Sequence, residues 1–95
     1  MGTPKVIFFG RNPALMTIVD QQLRSAGIRA QGFMQEEQVM DAIERGEARM
    51  IVLGGGVEDG PRERIKGHCS KHGILVLEHS GGPQHLPQDI ERALG

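Results

Sequence analysis

Four short apolar runs punctuate the chain, at Lys5–Phe9, Ile28–Phe33, Met50–Leu53 and Ile74–Leu77. The first, third and fourth are unbroken rather than alternating, which is the pattern of strands covered on both faces. Helical spacing fills the stretches between them. Asn12 is a good helix cap, and Pro13 suits the first helical position, where its missing N–H has no partner to lose. Leu15, Ile18, Val19, Gln22, Leu23 and Ala26 then recur along one stripe, and Gly27 stands where a left-handed cap is expected. A second helix is predicted over Glu36–Arg45. Its inward residues are Val39, Met40 and Ile43, its charges complement the helix dipole, and Gly46 ends it. A third is predicted from Pro61 to His72, capped by Gly73, with only Ile65 and Cys69 as an apolar face and Gly67 inside. A fourth begins near Pro87 and carries Leu86, Ile90, Ala93 and Leu94.

Strand and helix therefore alternate through residues 1–95 as one α/β domain, with no linker or low-complexity tract. Such alternation with short connections predicts a three-layer α/β/α, doubly wound parallel sheet. The expected order of its four strands is 2-1-3-4, the flavodoxin-like winding without its usual fifth strand.

Composition changes this picture only at the edges. Glycine supplies 14 of 95 residues, about twice the usual ~7%. Leu, Ile, Val and Phe supply 24, above the ~20% below which disorder is expected, so the glycines belong to turns of a folded domain. Net charge is −1, which gives no electrostatic reason to bind nucleic acid or an acidic membrane. Phe8, Phe9 and Phe33 are the only aromatics, too few for a base-stacking platform. A single cysteine excludes an intrachain disulfide and fits a reducing, cytoplasmic setting. No apolar run approaches the ~18 residues of a spanning helix.

In an open parallel sheet, ligands bind beyond the carboxyl ends of the strands, where strand order reverses. The loops predicted there are Gly10-Arg11-Asn12, Gly54 to Gly60, and Glu78 to Pro83. Glycine lets backbone N–H groups face a ligand, helix N-termini favour anions, and Arg11 and Ser80 can hold a phosphate or carboxylate. The candidate ligand-binding residues are Gly10, Arg11, Asn12, Gly54, Gly55, Gly56, His79, Ser80 and Gly81. The plainer reading is that a parallel sheet places tight turns here anyway. Neither G-x-G-x-x-G nor a P-loop pattern occurs.

His68 and His72 stand one helical turn apart with Cys69 between them, a spacing that can hold a transition metal. Against this, Cys69 continues the stripe begun by Ile65 and is expected to face the sheet, while His72 suits a helix C-terminus. Catalytic material is thin. No G-x-S-x-G elbow presents Ser80, and Glu58, Asp59 and Glu78 read either as a carboxylate cluster or as solvated loop charge. No catalytic residue and no cofactor are assigned.

The stretch Arg-Met-Ile-Val-Leu-Gly-Gly-Gly-Val-Glu-Asp-Gly, followed by a helix and then His-Gly-Ile-Leu-Val-Leu-Glu-His-Ser, spans Arg49 to Ser80 and resembles a response-regulator receiver domain. Receivers have a similar buried third strand, an Asp-Gly in the loop after it (here Asp59-Gly60) and a fourth strand ending in Ser or Thr. The departures are chemical. The acidic pair that holds magnesium in receivers is replaced by Phe9-Gly10-Arg11-Asn12, and Gly54 stands where the phosphoacceptor aspartate belongs. The Ser/Thr position falls on His79 or Ser80, and the receiver lysine belongs to a fifth strand not predicted here. The resemblance thus implies a phosphorylation-incompetent, pseudo-receiver signalling or interaction module, non-enzymatic and acting on a protein partner. Strand four becomes an apolar edge without Lys or Pro to guard it, which suggests a homodimer. The rival expectation is a domain or enzyme subunit that binds a phosphate-bearing or nucleotide ligand at the glycine-rich edge.

Overall fold

The computed structural model describes residues 5–79 and 86–94. Along the chain lie β1 (Lys5–Phe9), α1 (Pro13–Ser25), β2 (Ala30–Phe33), α2 (Glu36–Glu44), β3 (Ala48–Gly54), α3 (Asp59–His72), β4 (Leu75–His79) and α4 (Leu86–Leu94). The strands form one parallel sheet in the order β2-β1-β3-β4, as expected. In register, Phe8 lies beside Gly32 of β2 and Val52 of β3.

Successive residues of a strand point to opposite faces, so each unbroken apolar run supplies two cores at once. Ile7, Phe9, Ile51 and Leu53 pack with Val39, Ala42 and Ile43 of α2 and with Ile65 and Cys69 of α3. Val6, Phe8, Met50 and Val52 point the other way, to Leu23 of α1 and Ile90 of α4. No polar or charged side chain is buried among the described residues.

β3 extends beyond the predicted Met50–Leu53 at both ends and β4 runs on to His79, while the starts of β2 and β4 shift later for one repeated reason. Gly27, Gly46 and Gly73 all adopt positive φ, at 75°, 72° and 68°, and close the ends of α1, α2 and α3. At each closure the following amide turns back into the helix: Ile28 to the Leu23 carbonyl at 2.8 Å, Glu47 to Ala42 at 3.0 Å and Ile74 to Cys69 at 2.9 Å. Ile28 and Ile74 are therefore helix-closing residues that pack on the cores, and β2 and β4 start only at Ala30 and Leu75. Helix α3 starts before Pro61, at Asp59, so the glycine-rich loop ends at Glu58 and Gly60 is helical. Pro61 is tolerated because first-turn amides have no helical partner.

The α2 and α3 helices are clasped by Arg64, whose Nε and Nη2 donate to the Glu36 carboxylate at 2.6 and 2.8 Å. That pairing holds the Glu36 carboxyl below the usual carboxylate range. β4 lies at the sheet edge, and Leu75 on it is 49% exposed. Among the described residues, no helix is long and apolar enough to cross a membrane.

Candidate functional site

β1 and β3 are neighbours, yet the chain leaves β1 for α1 on one face and β3 for α3 on the other. The crevice this creates at their carboxyl ends holds a cavity of about 490 Å³. Phe8 and Val52 face it from the sheet, Leu15, Met16 and Val19 from α1, and the Gly10–Pro13 and Gly54–Gly56 segments form its rim. Of the candidate ligand-binding residues, Gly10, Arg11, Asn12, Gly54, Gly55 and Gly56 are thus brought together. His79 ends β4 beside Gly54 in the sheet register. Ser80, Gly81 and the rest of the loop after β4, with His85, lie outside the described residues.

Arg11, which the sequence offers as an anion ligand, is paired with a carboxylate. Its Nε and Nη2 donate to the two carboxylate oxygens of Glu58, each at 3.1 Å. Its Nη1 donates to the Met34 carbonyl at 2.7 Å, and the guanidinium lies 5.0 Å from the centre of the Phe9 ring. The fork geometry of arginine makes such a paired arrangement favourable. Asn12 is also occupied. Its Oδ1 accepts from the Ala14 and Leu15 amides at 3.0 and 3.3 Å, which answers the first free N–H groups of α1.

The carboxylates at this edge do not form a cluster, because each side chain that accepts a hydrogen bond there goes to its own base. Glu58 is held by Arg11. Glu78 receives Arg62 Nη1 at 2.9 Å and Lys66 Nζ at 3.4 Å, and the Arg62 bond holds its carboxyl below the usual range, with Lys66 adding to the effect. Asp59 sits in the first turn of α3.

Sequence reasoning passed over Arg62. Its Nη2 donates to the carbonyls of Gly54 at 2.9 Å and Val57 at 3.1 Å, which ties the glycine-rich loop to α3. One signal was available: an arginine so near the start of a helix faces the positive end of the dipole, a placement that invites a local explanation. Gly54 has a steric reason to be glycine, since a Cβ there would stand 3.3 Å from the Phe9 carbonyl oxygen.

The His68, Cys69 and His72 set does not converge. The two imidazoles lie 4.8 Å apart, centre to centre, and tilted by 49°. Cys69 turns away from them into the core beneath α3, where burial pushes its thiol up to about 11. No group of three His, Cys, Asp or Glu side chains suited to a metal ion occurs among the described residues. His68 Nε2 lies 3.6 Å from Glu44 Oε1 instead.

No protein-family model matches the chain, and no curated protein sequence matches it. Solved structures do share its fold. A de novo designed Rossmann 2x3 fold protein, solved by solution NMR, superposes with a TM-score of 0.71 at 20% identity, over 96% of this chain and 71% of that one. A de novo designed Rossmann 2x2 fold protein, also from NMR, gives 0.68 at 14% identity, over 96% and 86%. At such identities the likeness shows the architecture alone, a Rossmann-like α/β fold.

Proposed function

We propose that this chain is a non-enzymatic signalling or interaction module, similar in build to a phosphorylation-incompetent receiver domain, that works by contact. The observation that supports this reading is that two carboxylates of the carboxyl edge are already paired with arginines. Arg11 pairs with Glu58 and Arg62 with Glu78, while Gly54 occupies the end of β3. A magnesium-dependent aspartyl phosphorylation needs uncommitted carboxylates there, and this edge holds an arginine in their place. Incubation with acetyl phosphate and magnesium, read by intact mass, should give no phosphoryl adduct. A phosphoryl mass gain mapped to Asp59 or Glu58 and removed by hydroxylamine would overturn the reading. The partner includes a second copy of the chain, docked along β4, where half-exposed Leu75 lies on the unpaired edge. Sedimentation at micromolar concentration should show a dimer that Leu75→Lys dissociates, and a monomer throughout would remove this element of the proposal.

A second reading, a small-ligand binding domain, is favoured by one specific observation, the cavity at the strand-order reversal. Thermal shift against phosphate, nucleotides, flavin and divalent metals tests it. A ligand that binds the native state raises the transition temperature by mass action.

A further inference from the structure

We infer that the cavity between α1 and the carboxyl ends of β1 and β3 binds an uncharged, predominantly apolar small molecule. This inference rests on the small-ligand reading and narrows it, away from the phosphate or nucleotide that the glycine-rich edge first suggests.

The size fits: about 490 Å³ falls within the ~300–1,000 Å³ of ordinary ligand sites. The walls fit as well. Phe8 and Val52 present a flat apolar floor, and Leu15, Met16 and Val19 cover it from α1. Met16 is the adaptable element, because an unbranched thioether repacks around ligands of different shape.

Charge decides the ligand class. Among the described residues the one basic side chain lining the cavity is Arg11, whose Nε and Nη2 donate to Glu58 and whose Nη1 donates to the Met34 carbonyl. An anion would have to displace Glu58 or sit beside its negative charge. The helix N-terminus gives no compensation, since Asn12 already accepts from the Ala14 and Leu15 amides. A cation fares no better, because no Asp or Glu is among the described residues that line the cavity. The exposed peptide groups of Gly55 and Gly56 supply the few hydrogen bonds that orient a neutral guest.

The cavity also has a sequence origin. A Cβ at Gly32 would stand 2.4 Å from Phe8 Cε2 and 2.8 Å from Met16 Cε. Glycine on β2 therefore lets both side chains lean across that strand, which leaves room under the first turns of α1.

The test uses two dyes with one aromatic body: neutral N-phenyl-1-naphthylamine and its sulfonated analogue, 8-anilinonaphthalene-1-sulfonate. The neutral dye should bind the full chain saturably at one site, and the sulfonate should bind about tenfold or more weakly. Inorganic phosphate should neither displace the neutral dye nor raise the transition temperature. Val19→Trp fills the cavity and should weaken neutral-dye binding by about tenfold or more, with circular dichroism unchanged. Leu15→Glu, at the half-exposed mouth, serves the same purpose should the tryptophan variant fail to fold. Non-saturable dye binding, equal binding by wild type and both variants, or tighter binding of the sulfonate would overturn the inference. If a nucleotide or phosphate stabilises the chain and the neutral dye does not bind, this inference falls and the small-ligand reading stands. If no small molecule binds at all, both fall together and contact with a protein remains.

Discussion

The two faces of the sheet are built from the same strands, yet they are finished differently. On the α2–α3 face, a nine-residue helix buries Val39, Ala42 and Ile43, and α3 adds Ile65 and Cys69. The Arg64–Glu36 clasp then locks the two helices at their surface. On the α1–α4 face, a thirteen-residue helix fully buries Leu23 alone, α4 adds Ile90, and Leu15 and Ile18 remain 47% and 42% exposed. Near its C-terminal end α1 is anchored by Leu23 and by the Ile28 amide, which bonds to the Leu23 carbonyl. Near its start it stands over glycine, at positions 10 and 32, and encloses space. The difference teaches where the sheet is closed and where it is open: the α2–α3 face is clasped at its surface, and the α1 side keeps an open volume.

That contrast is open to attack at several points. The largest effect should come from truncation on the α2–α3 face. Ile43→Ala should lower unfolding free energy by about 2–5 kcal/mol, whereas Val19→Ala on the open face should lower it by about 1 kcal/mol. Urea unfolding of the pair measures both, and equal losses would erase the distinction. Gly32→Ala comes next. The added methyl pushes against the Phe8 ring and Met16, and should destabilise by about 1–3 kcal/mol while shrinking the cavity.

Smaller effects sharpen the electrostatic side. Glu58→Gln removes the charge opposite Arg11 and should change stability by less than about 1 kcal/mol. It should nevertheless raise phosphate affinity above that of the parent chain, seen by titration calorimetry. The smallest effect is expected at the clasp. The Glu36 carboxyl is depressed in the fold from an ordinary 4.5, so its contribution is present above that value and fades as pH falls through the lower folded one. Glu36→Gln should therefore be less stable than wild type at pH 7 by under about 1 kcal/mol, and the two should converge in acid. A gap that widened on acidification would reverse the assignment.

Much of the fold can be read from the residues themselves. The Asn12-Pro13 start of α1, the glycines at its end and at two others, and the continuous apolar strands all carry local physics that tertiary structure had no cause to override. The misplaced strand starts at Ile28 and Ile74 have one origin, since an apolar residue after a left-handed glycine satisfies helix closure as well as it satisfies a strand. Half of the site was legible too, because loop positions at the carboxyl edge follow from strand order alone. What eluded sequence reading was pairing at long separation. Nothing local says that Arg11 meets Glu58, or that Arg62 reaches back to the Gly54 carbonyl. Nor does spacing reveal that burial claims Cys69 and so parts it from two histidines on the same turn.

Arg11 touches three separate connections: its own after β1, Met34 after β2, and Glu58 after β3. A side chain bonded in this way ties three loops to one another. Breathing at the cavity mouth is then expected of α1, whose Leu15 and Ile18 are partly exposed. A guest would arrive and depart by transient lifting of that helix's first turns, with the loops as the fixed jaw. In native-state amide exchange, the protons of α1 near Leu15 should report this opening at free energies well below global unfolding, while those of α2 and β3 wait for the whole molecule to come apart.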